Sequence, residues 1–198
     1  MFSLSSAIAA GTPEPISIDE AKNNLRVSHN VDNAIITGMI ESAREYVELW
    51  TGRALVPTTI TMKLDSFPGS SGVILLPRSP VTAFTSIAYF DENNVSQTFS
   101  TSYYQSDLAS EPARVAPVTT STWPATYTKL AAVTLTYTVG YATPAAVPER
   151  LKQAMQILVA HWYSKREPIG MAGDEVAFSL RALLGSAWTG SLAGTYAA

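Results

Sequence analysis

Two segments with helical periodicity enclose a long stretch that has the composition of a β-sheet. Between residues 54 and 148 only nine residues are charged, and Ser, Thr, Val and Tyr dominate. Alternation of polar and apolar residues over 59–64 and 133–139 predicts strands with one buried face. The sequence therefore predicts an α+β fold: a bundle of two long helices plus short helices, with a β-rich region, 55–140, inserted between the long ones.

Shorter signals subdivide the β-rich region. Residues 84–90 and 95–99 are predicted to pair as a hairpin across a four-residue loop. Residues 73–76 form an apolar run that ends at a proline, which predicts a short strand. The stretch 100–128 has few periodic signals and many Ser, Thr and Pro residues. We therefore expect irregular chain there, with at most short strands.

Two of the predicted helices are marked by their first residues. Ser17 and Glu20 have the spacing of a capping box, in which each side chain bonds the backbone N–H of the other residue. A short helix is therefore predicted over 18–26. Pro148 suits the first helical position, where the missing N–H costs nothing, and it begins a long helix predicted over 148–166.

The most regular helical pattern covers residues 31–51 and ends at Gly52, which suits a left-handed C-terminal position. Its apolar residues recur at three- and four-residue spacing and are predicted to face the core. They are Ile35, Ile36, Met39, Ile40, Ala43, Tyr46, Val47 and Trp50. The charged residues between them are predicted to lie on a solvated outer face. They are Asp32, Glu41, Arg44, Glu45 and Glu48.

The two ends of the chain are set apart from a domain predicted over 16–175. Residues 1–15, which close with Pro13 and Pro15, are predicted to form an irregular N-terminal arm. A short apolar pattern predicts a C-terminal helix, through Val176, Leu180, Leu183 and Leu184. This helix and the low-charge tail that follows it, together 176–198, are expected to dock a partner.

The charge content of the chain suggests a covered surface. Charged residues make up 15% of the 198 residues, whereas soluble domains usually contain about 25%. Hydrophobic residues make up 46%, so the chain can form a core and part of its surface is expected to be buried against partners. The net charge of -3 argues against sequence-specific DNA binding, because phosphate neutralisation needs a basic excess.

The residue types that carry most catalytic and metal chemistry are scarce. The chain has no Cys and two His, which excludes thiol catalysis, disulfide scaffolds and multi-histidine metal sites. The glycine-rich phosphate motifs and the common serine hydrolase signatures are missing. His161, beside Trp162 in a predicted helix, is interpreted as a packed residue. We expect no catalytic residue, no metal site, no cofactor and no membrane span.

Large apolar residues lie in segments that carry few charges. Tyr103, Tyr104 and Trp123 belong to the irregular stretch, and Trp188 and Tyr196 belong to the tail. Such residues are typical of interface anchors. The alternative is a tail that folds back over its own core. The predicted partner-interface residues are Leu180, Leu183, Leu184, Trp188 and Tyr196.

A collinear series of short motifs runs from residue 13 to residue 167. In chain order it reads Pro15-Ile16-Ser17, Glu20-Ala21-Lys22, Leu25-Arg26-Val27, Ala43-Arg44-Glu45-Tyr46-Val47-Glu48, Thr51-Gly52-Arg53-Ala54-Leu55, Leu76-Pro77-Arg78-Ser79-Pro80-Val81, Ile87-Ala88-Tyr89 with Asp91, Trp123-Pro124, Val139-Gly140-Tyr141, Val147-Pro148-Glu149, Ala160-His161-Trp162-Tyr163 and Arg166-Glu167. The series resembles the head-tail connector proteins, also called adaptor or head-completion proteins, of tailed bacteriophages and gene transfer agents. Leu183-Leu184 matches the leucine pair near the C-terminus of the family. The basic residues that follow this pair in the family are absent from this sequence.

The resemblance implies a structural role without catalysis. Members of the family form rings, commonly of twelve subunits, that sit beneath the portal and extend the DNA channel toward the tail. The implied partners are further copies of the chain, the portal protein and a tail-side neck protein, either a stopper or a tail terminator. Double-stranded DNA would pass through the channel without sequence-specific binding. The implied location is the neck of a virion or phage-like particle, after synthesis in the bacterial host cytoplasm.

Two other function classes remain open at this point. A small ligand-binding β domain with helical flanks would use Tyr103, Tyr104 and Trp123 as a concave aromatic platform. A hydrolase of unrecognised type would need His161 to line a pocket beside a carboxylate.

Overall fold

The computed structural model describes residues 2–165 and 174–187, and these form two compact units. The sheet unit contains 2–10 and 57–140, and the helical unit contains 11–56, 141–165 and 174–187. The first is built from antiparallel sheets and the second from helices, which confirms the α+β class. Within the described ranges, no helix combines the length and the apolarity needed to cross a bilayer.

The described residues of the sheet unit form eight strands in two antiparallel sheets. The strands are β1 (Phe2–Ile8), β2 (Thr58–Leu64), β3 (Ile74–Leu76), β4 (Val81–Phe90), β5 (Ser96–Thr98), β6 (Tyr104–Asp107), β7 (Ala113–Pro117) and β8 (Val133–Val139). The larger sheet has the order β1-β2-β8-β4-β5, and the smaller has the order β3-β7-β6. The predicted hairpin is confirmed as β4 and β5, and the stretch predicted to be irregular contains the two short strands β6 and β7.

The alternation seen in the sequence places one face of β2 and β8 in the core. Met62 lies opposite Leu135, and Ile60 lies opposite Tyr137. All four side chains are fully buried. The Tyr137 hydroxyl donates a hydrogen bond of 2.9 Å to the backbone oxygen of Pro77, so the polar end of this core ring is satisfied.

The N-terminal prediction needs correction. Residues 2–8 form β1, which pairs with β2 along its whole length, so the prediction of irregular chain over 1–15 is wrong for this part. Ser5 lies opposite Thr61, 56 positions away. Pairing over such a distance leaves no local signal, because each strand residue is held by hydrogen bonds to another part of the chain.

In the helical unit, the described residues form four α-helices. They are α1 (Ile18–Leu25), α2 (Asn33–Thr51), α3 (Glu149–Lys165) and α4 (Asp174–Leu184). Their bounds lie within two residues of the predicted 18–26, 31–51 and 148–166, and α4 contains the predicted C-terminal leucines. The capping box is present: Ser17 Oγ accepts the Glu20 N–H at 3.1 Å, and Glu20 Oε2 accepts the Ser17 N–H at 2.6 Å.

The core of the helical unit forms where apolar stripes of the helices meet. Ile36, Ile40 and Val47 of α2 lie in one buried cluster with Leu151 and Met155 of α3. Gly52 ends α2 in the left-handed conformation, at φ 71°, a region in which glycine carries no Cβ penalty. The packing sets which side of α2 remains exposed.

Candidate functional site

The exposed side of α2 carries a set of large apolar side chains. Ile35, Tyr46, Leu49 and Trp50 are all exposed, and the helical spacing of these positions places them on one face. We call these four residues the outer face of α2. Leu49 is 83% exposed, and the Tyr46 and Trp50 rings stack with centroids 6.3 Å apart. This face can bury apolar area only against another surface.

This arrangement corrects the predicted faces of α2. Ile35, Tyr46 and Trp50 were predicted to face the core, and they are exposed. Arg44 and Glu48 were predicted to be solvated, and they are buried. The apolar stripe of α2 is therefore wider than the face of the helix that packs on the core. Arg44 and Glu48 occupy part of the buried side, where their charges are paired.

The buried charges form a three-residue network. The Nε of Arg44 lies 2.9 Å from Oε2 and 3.2 Å from Oε1 of Glu14. Nη1 of Arg44 lies 3.3 Å from Oε2 of Glu48. The other Glu48 oxygen, Oε1, accepts the Leu55 N–H at 2.7 Å. These contacts tie α2 to the chain before and after it, so they hold the outer face in one orientation.

Burial alters the acidity of Glu14 in this network. Desolvation, together with the nearby charges of Glu41 and Glu48, raises the pKa of Glu14 above its ordinary value of 4.5, although the Arg44 guanidinium acts to lower it. The Glu14 side chain keeps partial contact with solvent, whereas Arg44 and Glu48 are each 8% exposed. Arg44 therefore compensates carboxylates that would be costly to bury alone.

The C-terminal helix holds three of the predicted partner-interface residues. Leu180 and Leu184 of α4 are buried in the helical core, and Leu183 is partly buried against it. Trp188 and Tyr196 lie outside the described residues. Phe178 of α4 is a large apolar residue that is 74% exposed, and the sequence analysis did not select it. The signal that could have identified Phe178 is its position two residues before Leu180, on the other side of the helix.

Arg53, which follows α2, forms hydrogen bonds to the segment after α4 and to Tyr141. Its Nε donates a hydrogen bond of 2.8 Å to the backbone oxygen of Ala187, and its Nη1 lies 3.5 Å from the Tyr141 hydroxyl. Arg53 lies two residues after α2, so its hydrogen bond to Ala187 attaches the last described residue of the C-terminal segment to the C-terminal end of α2.

The aromatic platform required by the ligand-binding alternative does not exist in the proposed form. Trp123 is 5% exposed and stacks on Phe67, with ring centroids 4.7 Å apart and planes 3° apart. Its Nε1 donates a hydrogen bond of 2.7 Å to the Gly72 oxygen. Tyr104 is buried as well, whereas Tyr103 is exposed. The Trp123 and Tyr104 rings fill the interior of the sheet unit, so these two residues are not the exposed interface anchors that their low-charge surroundings suggested.

His161 lines an open groove on the helical unit that has a volume of about 450 Å³. The groove is lined by Asn24, Gln153, Gln156, Ile157, Ala160, His161 and Ser164. None of these described residues is a carboxylate, so the acid-base pair that the hydrolase alternative needs is not formed by them. Throughout the described part of the chain, no three His, Asp or Glu side chains are grouped to hold a metal ion.

Comparisons with known proteins identify a family and a fold. A model of the head completion protein family matches residues 14–182. The chain is similar to the solved neck of an empty GTA particle computed with C6 symmetry, at 22% identity over 97% of this chain and 98% of that one, with a TM-score of 0.76. It is also similar to the neck of a native GTA particle computed with C12 symmetry, at 22% identity over 97% and 98%, with a TM-score of 0.75.

A third similar structure is the virion of a native gene transfer agent (GTA) particle, at 21% identity over 96% of this chain and 97% of that one, with a TM-score of 0.76. At these identities the likeness establishes a shared fold. No curated protein sequence matches the chain.

Proposed function

The chain belongs to the head completion protein family, and from this premise we propose that it is a structural, non-enzymatic subunit of the neck of a tailed phage or gene transfer agent. In this proposal, copies form a ring beneath the portal, twelve in number, which extends the DNA channel and offers an attachment surface to a tail-side neck protein. The observation that carries the proposal is the family match over residues 14–182. The similar folds in GTA necks computed with C6 and C12 symmetry support it.

A subunit of a closed ring presents two different surfaces to two identical neighbours, because head-to-tail contacts are heterologous. The outer face of α2 supplies one such surface: it is apolar, exposed and held in place by the Arg44 network. Burial against a neighbour would remove Leu49 and Ile35 from water. Fully burying an exposed side chain of this size contributes about 1.5 to 3 kcal/mol, and Ile35, which is 52% exposed, contributes about half as much as a fully exposed residue would. We assign this face to the contact between subunits.

The two long helices, α2 and α3, act in this proposal as the bundle that carries the ring contacts. The β-rich region between them bears loops that reach neighbours or the next ring. A slightly acidic chain, with net charge -3, also suits a channel that DNA slides through, because a wall rich in Lys and Arg would hold phosphates. A ring lumen lined mainly by Lys and Arg would contradict this assignment.

The C-terminal segment is proposed to dock the portal. Leu180 and Leu184 anchor α4 in the helical core, Leu183 lies at its border, and Phe178 points away from it. In the proposal the leucines position the segment, and Phe178 contacts the partner together with Trp188 and Tyr196. A charged substitution at Phe178 tests docking better than one at Leu184, because Leu184 is fully buried and its change would also destabilise the fold.

The proposed function is tested with the purified full-length chain and a portal assembly. We expect co-sedimentation with the portal and rings visible by electron microscopy. Leu49→Glu should abolish ring formation, because it places a charge in the apolar contact. Thr37→Glu is the matched control: it adds the same charge to the same helix at an exposed position outside the outer face. A wild-type chain that neither binds the portal nor forms rings would overturn the proposal.

A further inference from the structure

We propose that the loop between α1 and α2, residues 26–32, is the surface through which a neighbouring copy of the chain covers the outer face of α2. The inference rests on the proposed ring and completes its contact between subunits. A head-to-tail contact joins two different surfaces of the same chain. The outer face of α2 therefore needs a partner surface elsewhere on each copy, and the α1–α2 loop matches it in charge and apolarity.

The outer side of α2 is negatively charged. The helix contains three glutamates and one cation, Arg44. Arg44 is buried and is already paired with Glu14, at 2.9 Å. Glu41 and Glu45 are exposed and precede Leu49 at four-residue spacing, so they line the border of the outer face. A surface that docks there gains from carrying positive charge.

The α1–α2 loop has the complementary character. Arg26 is exposed, and Val31 is 87% exposed. Residues 21–31 contain no carboxylate. The carboxylate that follows them, Asp32, accepts a hydrogen bond of 2.6 Å from the Tyr163 hydroxyl. The loop thus presents a cation together with an apolar side chain, and the outer face of α2 presents carboxylates together with apolar side chains.

Hydrogen bonds within the helical unit hold the loop in one shape. Nζ of Lys22 donates to Oδ1 of Asn30 at 2.7 Å and to Oδ1 of Asn33 at 3.2 Å. Both acceptors are neutral, so the charge of Lys22 adds to that of Arg26. The N–H groups of Arg26 and Val27 donate to backbone oxygens of α1. A loop that is already ordered loses little conformational freedom when it docks.

Gly38 leaves room for the loop on α2. It is exposed and lies one turn after Ile35, at the side of the helix that carries the outer face. A Cβ at this position would meet no atom within 4 Å. Glycine inside a helix costs about 1 kcal/mol relative to alanine, and the packing of the chain on itself gives no return for that cost. Close approach by the backbone of a neighbour accounts for the glycine.

The loop and the far end of the outer face cannot meet within one copy. An α-helix rises about 1.5 Å per residue, so Asn33 and Leu49 lie about 24 Å apart along α2. The loop at the N-terminal end of α2 therefore reaches Leu49 of a different copy. The same contact then repeats from copy to copy, as a closed ring requires.

Thiol cross-linking in rings of the full-length chain tests the contact, with portal present if the ring requires it. The chain has no Cys, so the double variant Val31→Cys, Leu49→Cys carries two thiols per copy, too far apart to be joined within one copy. A short bismaleimide should link this variant into a ladder of subunits that extends to the complete ring. Each single variant is a control and should give no ladder, because one thiol per copy joins two copies at most.

Charge exchange tests the electrostatic match in the same rings. Arg26→Glu and Glu45→Arg should each raise the concentration needed for assembly about tenfold, and the two together should restore most of the loss. Lys63→Glu is the matched control, because it makes the same change of charge at an exposed position of β2. It should assemble like the wild-type chain.

The outcomes separate this inference from the proposed function. Rings of the double cysteine variant that give no ladder, or an Arg26→Glu variant that assembles like Lys63→Glu, would overturn the loop contact and leave the ring in place. Cross-linked dimers from Leu49→Cys alone, in the yield of the double variant, would show that the outer face meets its own copy and would also overturn the inference. A wild-type chain that forms no ring under any condition would remove both proposals.

Discussion

Replacing Arg44 with methionine removes the cation of the buried network while keeping most of the side-chain volume. In the folded chain the guanidinium lies 2.9 Å from Glu14 and 3.3 Å from Glu48. The substitution leaves both carboxylates without this guanidinium in a poorly solvated site. It therefore tests whether the network orients α2 or is merely tolerated there.

The expected loss of stability follows from the burial of the partners. Removing one member of a buried ion pair typically costs about 3 to 5 kcal/mol. Glu14 is 25% exposed and Glu48 is 8% exposed, so water screens the first carboxylate in part, and Glu48 retains the Leu55 N–H. We therefore expect the lower end, about 3 kcal/mol. For a chain of this size that corresponds to about 6 to 12 °C in Tm.

The pH dependence of the loss identifies its cause. The pKa of Glu14 is raised above 4.5 by burial, and loss of Arg44 raises it further. A folded state with a raised carboxyl pKa binds more protons than the unfolded chain between the two pKa values, so its stability rises as pH falls through that window. The penalty of Arg44→Met should therefore be largest at neutral pH and shrink as pH falls toward 4.5.

Urea unfolding at several pH values, followed by circular dichroism, measures this prediction. Glu45→Gln is the control, because Glu45 lies 3.9 Å from Arg44 with 73% of its side chain exposed, and it should change the free energy of unfolding by less than about 0.5 kcal/mol. A penalty for Arg44→Met below about 1 kcal/mol at neutral pH, or one that grows toward acid pH, would refute the reasoning.

Three further predictions concern local features. Glu20→Gln should lower the free energy of unfolding by about 0.5 kcal/mol at neutral pH. Hydrogen bonds from Ser17 lower the pKa of Glu20 below 4.5, so the difference from wild type should disappear as the pH falls below 4.5 and through that lowered pKa. Urea unfolding at several pH values measures the difference. Gly38→Ala should raise Tm, with a gain of about 0.5 to 1 kcal/mol, because a Cβ at Gly38 meets nothing within 4 Å; unchanged or lower Tm would contradict it. Trp123→Ala should cost about 4 kcal/mol, since its ring is 5% exposed and stacked on Phe67; calorimetry showing less than about 1 kcal/mol would disprove the packing role.

Part of the candidate site could be predicted from the sequence. Most apolar residues of α2 were recognised, but three of them were assigned to the wrong face, because the stripe is wider than the core it packs against. Leu49, which is 83% exposed, was not selected. The C-terminal leucines were recognised as apolar anchors, whereas Phe178 was missed. The order of short motifs indicated the family, which the match to residues 14–182 confirms.

The amino-acid sequence by itself determined the helices, the central strands and the hairpin, because caps, periodicity and turn residues act over a few neighbouring positions. The tertiary structure alone decided that Arg44 is buried beside Glu14, 30 residues away, and that residues 2–8 become an edge strand. It also decided that the Trp123 ring stacks on the Phe67 ring. Each depends on a partner distant in the chain, and such pairings are selected by the packing of the whole unit rather than by any local pattern.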